Sequence, residues 1–118
     1  MIIVKSRNFA DSWYVYHSAI GNTQYLQLNS TDAATTFSTM WNNTNPTSTV
    51  FSTTYLNQGS RTQVAYCFAE VPGYSRFGSY TGNGSSDGPF VFCGFRPRWV
   101  MIKRTDSTGN WMVVDRKS

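Results

Sequence analysis

Charge is scarce in this chain. Ten basic and six acidic residues among 118 leave it only 14% charged, with a net charge of +4. The basic residues gather towards the ends, at Lys5, Arg7, Arg96, Arg98, Lys103, Arg104, Arg116 and Lys117. They form no dense stripe interleaved with aromatics, so a nucleic-acid interface is not expected. Apolar stretches such as Met1–Val4 and Trp99–Ile102 fall far short of the roughly 20 residues that cross a bilayer as a helix. No membrane insertion is expected. A basic start, apolar core and cleavage site of a secretory leader are also missing. Met1 runs straight into Ile-Ile-Val, as if a strand were already under way, which leaves open a trimmed start or a longer protein upstream.

Histidine and cysteine are as scarce. One histidine, His17, and two cysteines, Cys67 and Cys93, supply too few ligands in the wrong spacing for a zinc site. No metal and no cofactor is expected. The cysteines lie in apolar runs, VAYCFAEV and PFVFCGF. They read either as a disulfide between neighbouring strands or as two buried thiols acting as small hydrophobes. The six carboxylates are Asp11, Asp32, Glu70, Asp87, Asp106 and Asp115. Only Glu70 falls inside a clear interior strand, so the facing pair that glycoside hydrolysis needs does not form. No Gly-x-Ser-x-Gly elbow occurs and His17 has no evident nucleophile beside it. No catalytic residue is assigned, and the chain is not expected to be an enzyme.

What the chain does hold is aromatic, hydroxylated and β-branched. Aromatics reach 16%, and Ser, Thr, Asn and Gly dominate the polar residues. With few helix formers and many turn signals, that composition predicts an all-β domain. Strands are expected near Ile2–Lys5, Ser12–His17, Gln24–Leu28, Thr49–Thr54, Gln63–Val71, Tyr74–Tyr80, Pro89–Phe95, Arg98–Arg104 and Asn110–Asp115. Gln63–Val71 is apolar on both faces, which predicts a central strand. Val71-Pro72-Gly73 is the sharpest turn signal, suited to type II geometry. Ser30–Pro46 has no period and reads as a long loop with a short strand around Phe37–Trp41. Thr81–Gly88 is glycine-rich with one carboxylate, Asp87. A phosphate cradle would need a following helix and calcium more acids than Asp87, even with Asn83, so a plain connecting loop is the better reading. Strands so spaced predict a two-sheet antiparallel β-sandwich of jelly-roll type, with a partly open barrel as the alternative.

The two ends of the chain match each other. Residues Met1–His17 overlay Trp99–Asp115 at a constant offset of 98 positions. Lys5 meets Lys103, Trp13 meets Trp111, and Val15 meets Val113; Ile2-Ile3-Val4 meets Val100-Met101-Ile102. Each copy reads as an apolar strand, a Lys, a seven-residue polar turn and a Trp-led strand. The expected organisation is one sandwich unit over residues 1–98 and the opening hairpin of a second, partial unit over 99–118.

The runs AYCFAEVPGY (Ala65–Tyr74), GSYTGNGSSDGPF (Gly78–Phe90) and GFRPRWVMIKRT (Gly94–Thr105) resemble a repeat domain of tailed-phage structural proteins, found in tail, tail-fibre and other virion proteins of marine phages. The resemblance covers nearly the whole chain and implies a concanavalin-like (laminin-G-like) sandwich, often present in tandem. It brings no catalytic or ligand residues with it. It implies a virion location and a structural, oligomer-forming role, with copies of itself and other virion proteins as partners. Trp99, Met101, Trp111 and Val113 are the expected contact residues between subunits or repeats. An adhesin that binds host-surface glycans is the alternative, with Trp41, Tyr55 and Tyr80, in or beside loops, as stacking residues.

Overall fold

A computed structural model describes residues 1–116 of the chain. Lys117 and the end of the expected second unit lie outside the described residues. The fold is all-β and antiparallel. Five strands form one sheet in the order β4-β3-β2-β1-β5. They are β1 (Ile2–Ser6), β2 (Tyr14–Tyr16), β3 (Gln24–Gln27), β4 (Thr35–Thr36) and β5 (Gln63–Cys67). A second sheet has two strands, β6 (Trp99–Ile102) and β7 (Met112–Asp115). One short 3₁₀ turn, Tyr55–Asn57, is the only helical element among the described residues. No helix among them is long and apolar enough to cross a membrane.

Pairing registers explain which side chains are buried. Ile2 faces Tyr16 and Val4 faces Tyr14, while Ile3 lies between Val15 and Tyr66. Val15 in turn faces Leu26. Strand alternation therefore puts Ile2, Val4, Tyr14 and Tyr16 on one face, and Tyr66, Ile3, Val15 and Leu26 in a row on the other. The first face carries the core, in which Ile2, Val4 and Tyr16 pack with Met40, Trp41 and Leu56. On the second, Val15 is wholly buried and Leu26 nearly so.

Met40 and Trp41 reach the core from a loop. Asn42 and Asn43 take left-handed backbone (φ 53° and 46°), which asparagine tolerates better than most side chains. The bend they make is clamped on both sides. Asn43 N–H donates to Ser38 O and Tyr55 N–H to Thr39 O; the Thr53 hydroxyl donates to Met40 O at 2.7 Å. Two adjacent side chains thus drop into the sheet together. The Trp41 ring lies edge-on to Tyr16 (centroids 5.7 Å apart), and its indole N–H donates to Gln24 O at 3.0 Å.

Several expected elements differ. The central strand expected over Gln63–Val71 is the edge strand β5, exposed from Ala65 onward. Among the described residues no strand pairs along its outer edge, and its side chains from Ala65 to Cys67 are exposed. Thr49–Thr54, Tyr74–Tyr80 and Pro89–Phe95 form no ladder, and the short strand near Phe37 lies earlier, at Thr35–Thr36. An alternating pattern needs a partner strand before it becomes a sheet. Pro72-Gly73 does make its type II turn: Tyr74 N–H donates to Val71 O at 2.9 Å, with Gly73 at φ +75°. Both thiols are free; Cys67 is exposed on the edge strand and Cys93 half-buried, so neither cysteine is a buried hydrophobe.

Every buried residue lies between Ile2 and Leu56; among the described residues, none beyond Leu56 is buried. The accessible surface, 8262 Å² for a 13.3 kDa chain, exceeds by roughly a quarter the ~6,500 Å² of a compact monomer of that mass. Trp41→Ala should therefore destabilise the domain by about 3–5 kcal/mol. Phe90→Ala, at a side chain 91% exposed, should stay within about 0.5 kcal/mol. Urea unfolding of the two variants tests the contrast.

Candidate functional site

A shallow cleft of about 160 Å³ opens on the core face beside β4. Four rings close on each other around it. Tyr14 meets Tyr25 (5.3 Å) and Tyr55 (6.2 Å), and Phe37 meets Tyr55 (5.3 Å) and Tyr25 (6.4 Å). All four contacts are edge-on, the arrangement in which the positive rim of one ring meets the negative face of the next. Each element contributes for a local reason: Tyr14 and Tyr25 stand on paired strands β2 and β3, Phe37 follows β4, and Tyr55 opens the 3₁₀ turn.

Arg61 lies over one ring of this cluster, Tyr55. Its guanidinium sits 5.2 Å from the centre of the Phe9 ring and 5.6 Å from that of Tyr55. Its Nε lies 3.6 Å from Asp11 Oδ2, too long for a hydrogen bond, and Arg61 Nη1 and Asp11 Oδ2 have no hydrogen-bond partner among the described residues. The stacking is with aromatic faces as much as with the acid. Burial, then the neighbouring Tyr55, Asp11 and Tyr25, pushes the Tyr14 phenol up to about 12.

Of the expected stacking residues, only Tyr55 lines this cleft. Trp41 is 1% exposed and belongs to the core, so it presents no free face to a ligand; that expectation is corrected. Tyr80 is half exposed but lies in the irregular segment after β5 and does not line the cleft. Tyr14, Tyr25, Phe37 and Arg61 escaped notice because they come from four separate elements, with no spacing to connect them. The Thr81–Gly88 loop satisfies itself: Asn83 accepts from Ser85 N–H and donates to Asp87 O. Among the described residues no cluster of three or more His, Cys, Asp or Glu is placed to hold a metal ion.

The expected contact residues lie on the second sheet. Trp99 and Val113 are exposed at 57% and 55%, while Met101 and Trp111 are half-buried. The β6–β7 register pairs Val100 with Val114 and Ile102 with Met112. Shifted back by 98 positions, those pairs are Ile2 with Tyr16 and Val4 with Tyr14, the register of β1 and β2. The two hairpins are therefore built identically. The Lys after each first strand caps the turn in the same way, Lys5 Nζ donating to Ser6 O and Lys103 Nζ to Arg104 O.

These features define an all-β, antiparallel domain with an aromatic cleft on one sheet and an outlying hairpin. Residues 1–118 match the family described as a domain of unknown function, DUF7483, and the chain belongs to it. No curated protein and no solved structure matches the chain.

Two titrations follow. Tyr14 should resist ionisation until about pH 12, well after exposed tyrosines, in a spectrophotometric alkaline titration; Tyr14→Phe should remove that late step. His17 is held below its ordinary value, first by burial and then by the positive chain start. Its Nδ1 accepts a hydrogen bond from Ala19 N–H, which protonation of that nitrogen would break. The folded state then binds fewer protons than the unfolded one, so stability should fall as pH drops below about 6.5. Urea midpoints between pH 7 and 5 should decline in the native chain and flatten in His17→Gln.

Proposed function

We propose that this domain is a structural component of a phage virion, in a tail, tail fibre or other surface protein, and that it works through contacts with copies of itself and neighbouring virion proteins rather than by catalysis. The hairpin β6–β7 carries the reading. Val100, Ile102, Met112 and Val114 occupy the positions that Ile2, Val4, Tyr14 and Tyr16 hold in the first hairpin. All four are apolar, and none is buried. A sheet patterned for a core but lacking its second layer calls for a partner. The surplus surface of the monomer, about 1,800 Å² over a compact protein of this mass, exceeds the ~800 Å² that one partner contributes to a standard protein interface. In this reading the finer architecture is a jelly-roll, concanavalin-like sandwich with repeated units, completed by assembly. The runs AYCFAEVPGY and GFRPRWVMIKRT support the virion assignment by resemblance.

Light scattering across a concentration series tests self-association. The intact chain should exceed its 13.3 kDa as concentration rises. Val113→Glu with Val114→Glu should weaken assembly at least about thirtyfold, the effect of losing a central apolar contact. An intact chain that stays monomeric throughout would refute the reading. The aromatic cleft favours a second one, an adhesin stacking a host glycan on Tyr55. Binding on a glycan array that Tyr55→Ala abolishes would support it.

A further inference from the structure

The hairpin β6–β7 is seated on the first unit by four hydrogen bonds. Ala34 N–H donates to Thr105 O and Gly109 N–H to Thr31 O, both at 2.9 Å. Lys103 Nζ donates to Thr31 O at 3.3 Å and Trp111 Nε1 to Gln27 O at 2.9 Å. Two of these contacts use main-chain atoms, which any residue supplies. The other two use the side chains of Lys103 and Trp111. Those are two of the few residues that recur unchanged in the first hairpin, as Lys5 and Trp13. Neither hairpin needs the Trp N–H for its own fold. Trp13 is held in the first unit by its main chain, which donates to Asn29 Oδ1 and accepts from Leu28 N–H, and by its ring, which stacks on Tyr66. Its indole N–H has no partner among the described residues.

We propose that Gln27, Thr31 and Ala34 form an acceptor for the opening hairpin of another unit, and that the first hairpin of a second copy fits it, with Lys5 and Trp13 as its donors. The proposal rests on the self-association reading and adds to it a second, head-to-tail contact, the start of one unit on the β3–β4 end of another. In the intact chain the acceptor is already filled by Trp99–Asp115. Covalent attachment gives that hairpin a high effective concentration, so a second copy enters only when it is loosened.

The test uses full-length protein and hydrogen exchange. Trp111→Phe with Lys103→Met removes both side-chain donors and leaves the hairpin's apolar pattern intact. At low concentration, protection of the Ala34 amide should fall at least about tenfold, the combined effect of losing two hydrogen bonds of modest net strength. The Leu28 and Phe37 amides, bonded to Trp13 O and Thr23 O, report the first unit and should stay protected. Raising the concentration should restore Ala34 protection as the second copy's hairpin enters. A further Trp13→Phe, which keeps the ring over Tyr66, should abolish that recovery. The proposal is overturned if Ala34 protection does not fall, or if its recovery is absent or indifferent to Trp13. Should Leu28 and Phe37 also lose protection, Trp111→Phe alone carries the same comparison. Failure of the broader reading looks different: the intact chain stays monomeric while the Ala34 comparison still stands by itself.

Discussion

The fold depends on one side chain arriving from outside the sheet. A three-residue β2 and a two-residue β4 are too short to hold a sheet by ladder bonds alone. Trp41 supplies the missing layer. Its ring covers Tyr16, its N–H fixes the start of β3 at Gln24 O, and Met40 and Leu56 close the space around it. Without that plug the core face of β1 and β2 would be a water-exposed row of apolar residues. The left-handed pair Asn42–Asn43 and the Thr53 hydroxyl are what allow a loop to deliver it. The aromatic cleft then follows as the open margin of the same packing, where Tyr14, Tyr25 and Tyr55 continue the layer outward.

Strands with a sequence neighbour to pair with were legible before the structure was known: β1, β2, β3, β6 and β7 lie where alternation and turn signals placed them, within a residue or two. The plug was not. Ser30–Pro46 has no period because burial there falls on two adjacent residues in a bend, and neither a helical nor a strand template registers that pattern. The over-long reading of β5 and the two unformed strands after it share a different cause. Alternation records what a segment can pair with, whereas the ladder records what is present, and among the described residues no strand lies along the outer edge of β5. Exposure decided the candidate site in the same manner. Trp41 and Tyr55 look alike as loop aromatics, yet hydrogen bonding draws one inside and Arg61 holds the other at the rim of a cleft.

The two halves of the chain are built to different standards. Among the described residues every fully buried side chain lies at or before Leu56, while the later half carries exposed aromatics such as Tyr74, Phe90 and Phe92 (81%, 91% and 71% exposed). A chain in which apolar residues are placed this openly usually has contacts to make elsewhere. The open edge of β5 adds unpaired main-chain groups to that surface. Loss of a core residue would therefore be felt in stability, and loss of a surface aromatic far less so.

The identity of the two hairpins has a geometric consequence. The same object appears twice in one rigid setting, so a single rotation and translation carries the first hairpin onto the second. Applied again, that operation generates either a closed ring or an open helix of units, depending only on whether its rotation closes. The pitch and the handedness of such a rod would then reside in the few bonds that seat one hairpin on Gln27, Thr31 and Ala34. A tilt of those bonds too small to disturb any single unit would accumulate along any array built by that operation.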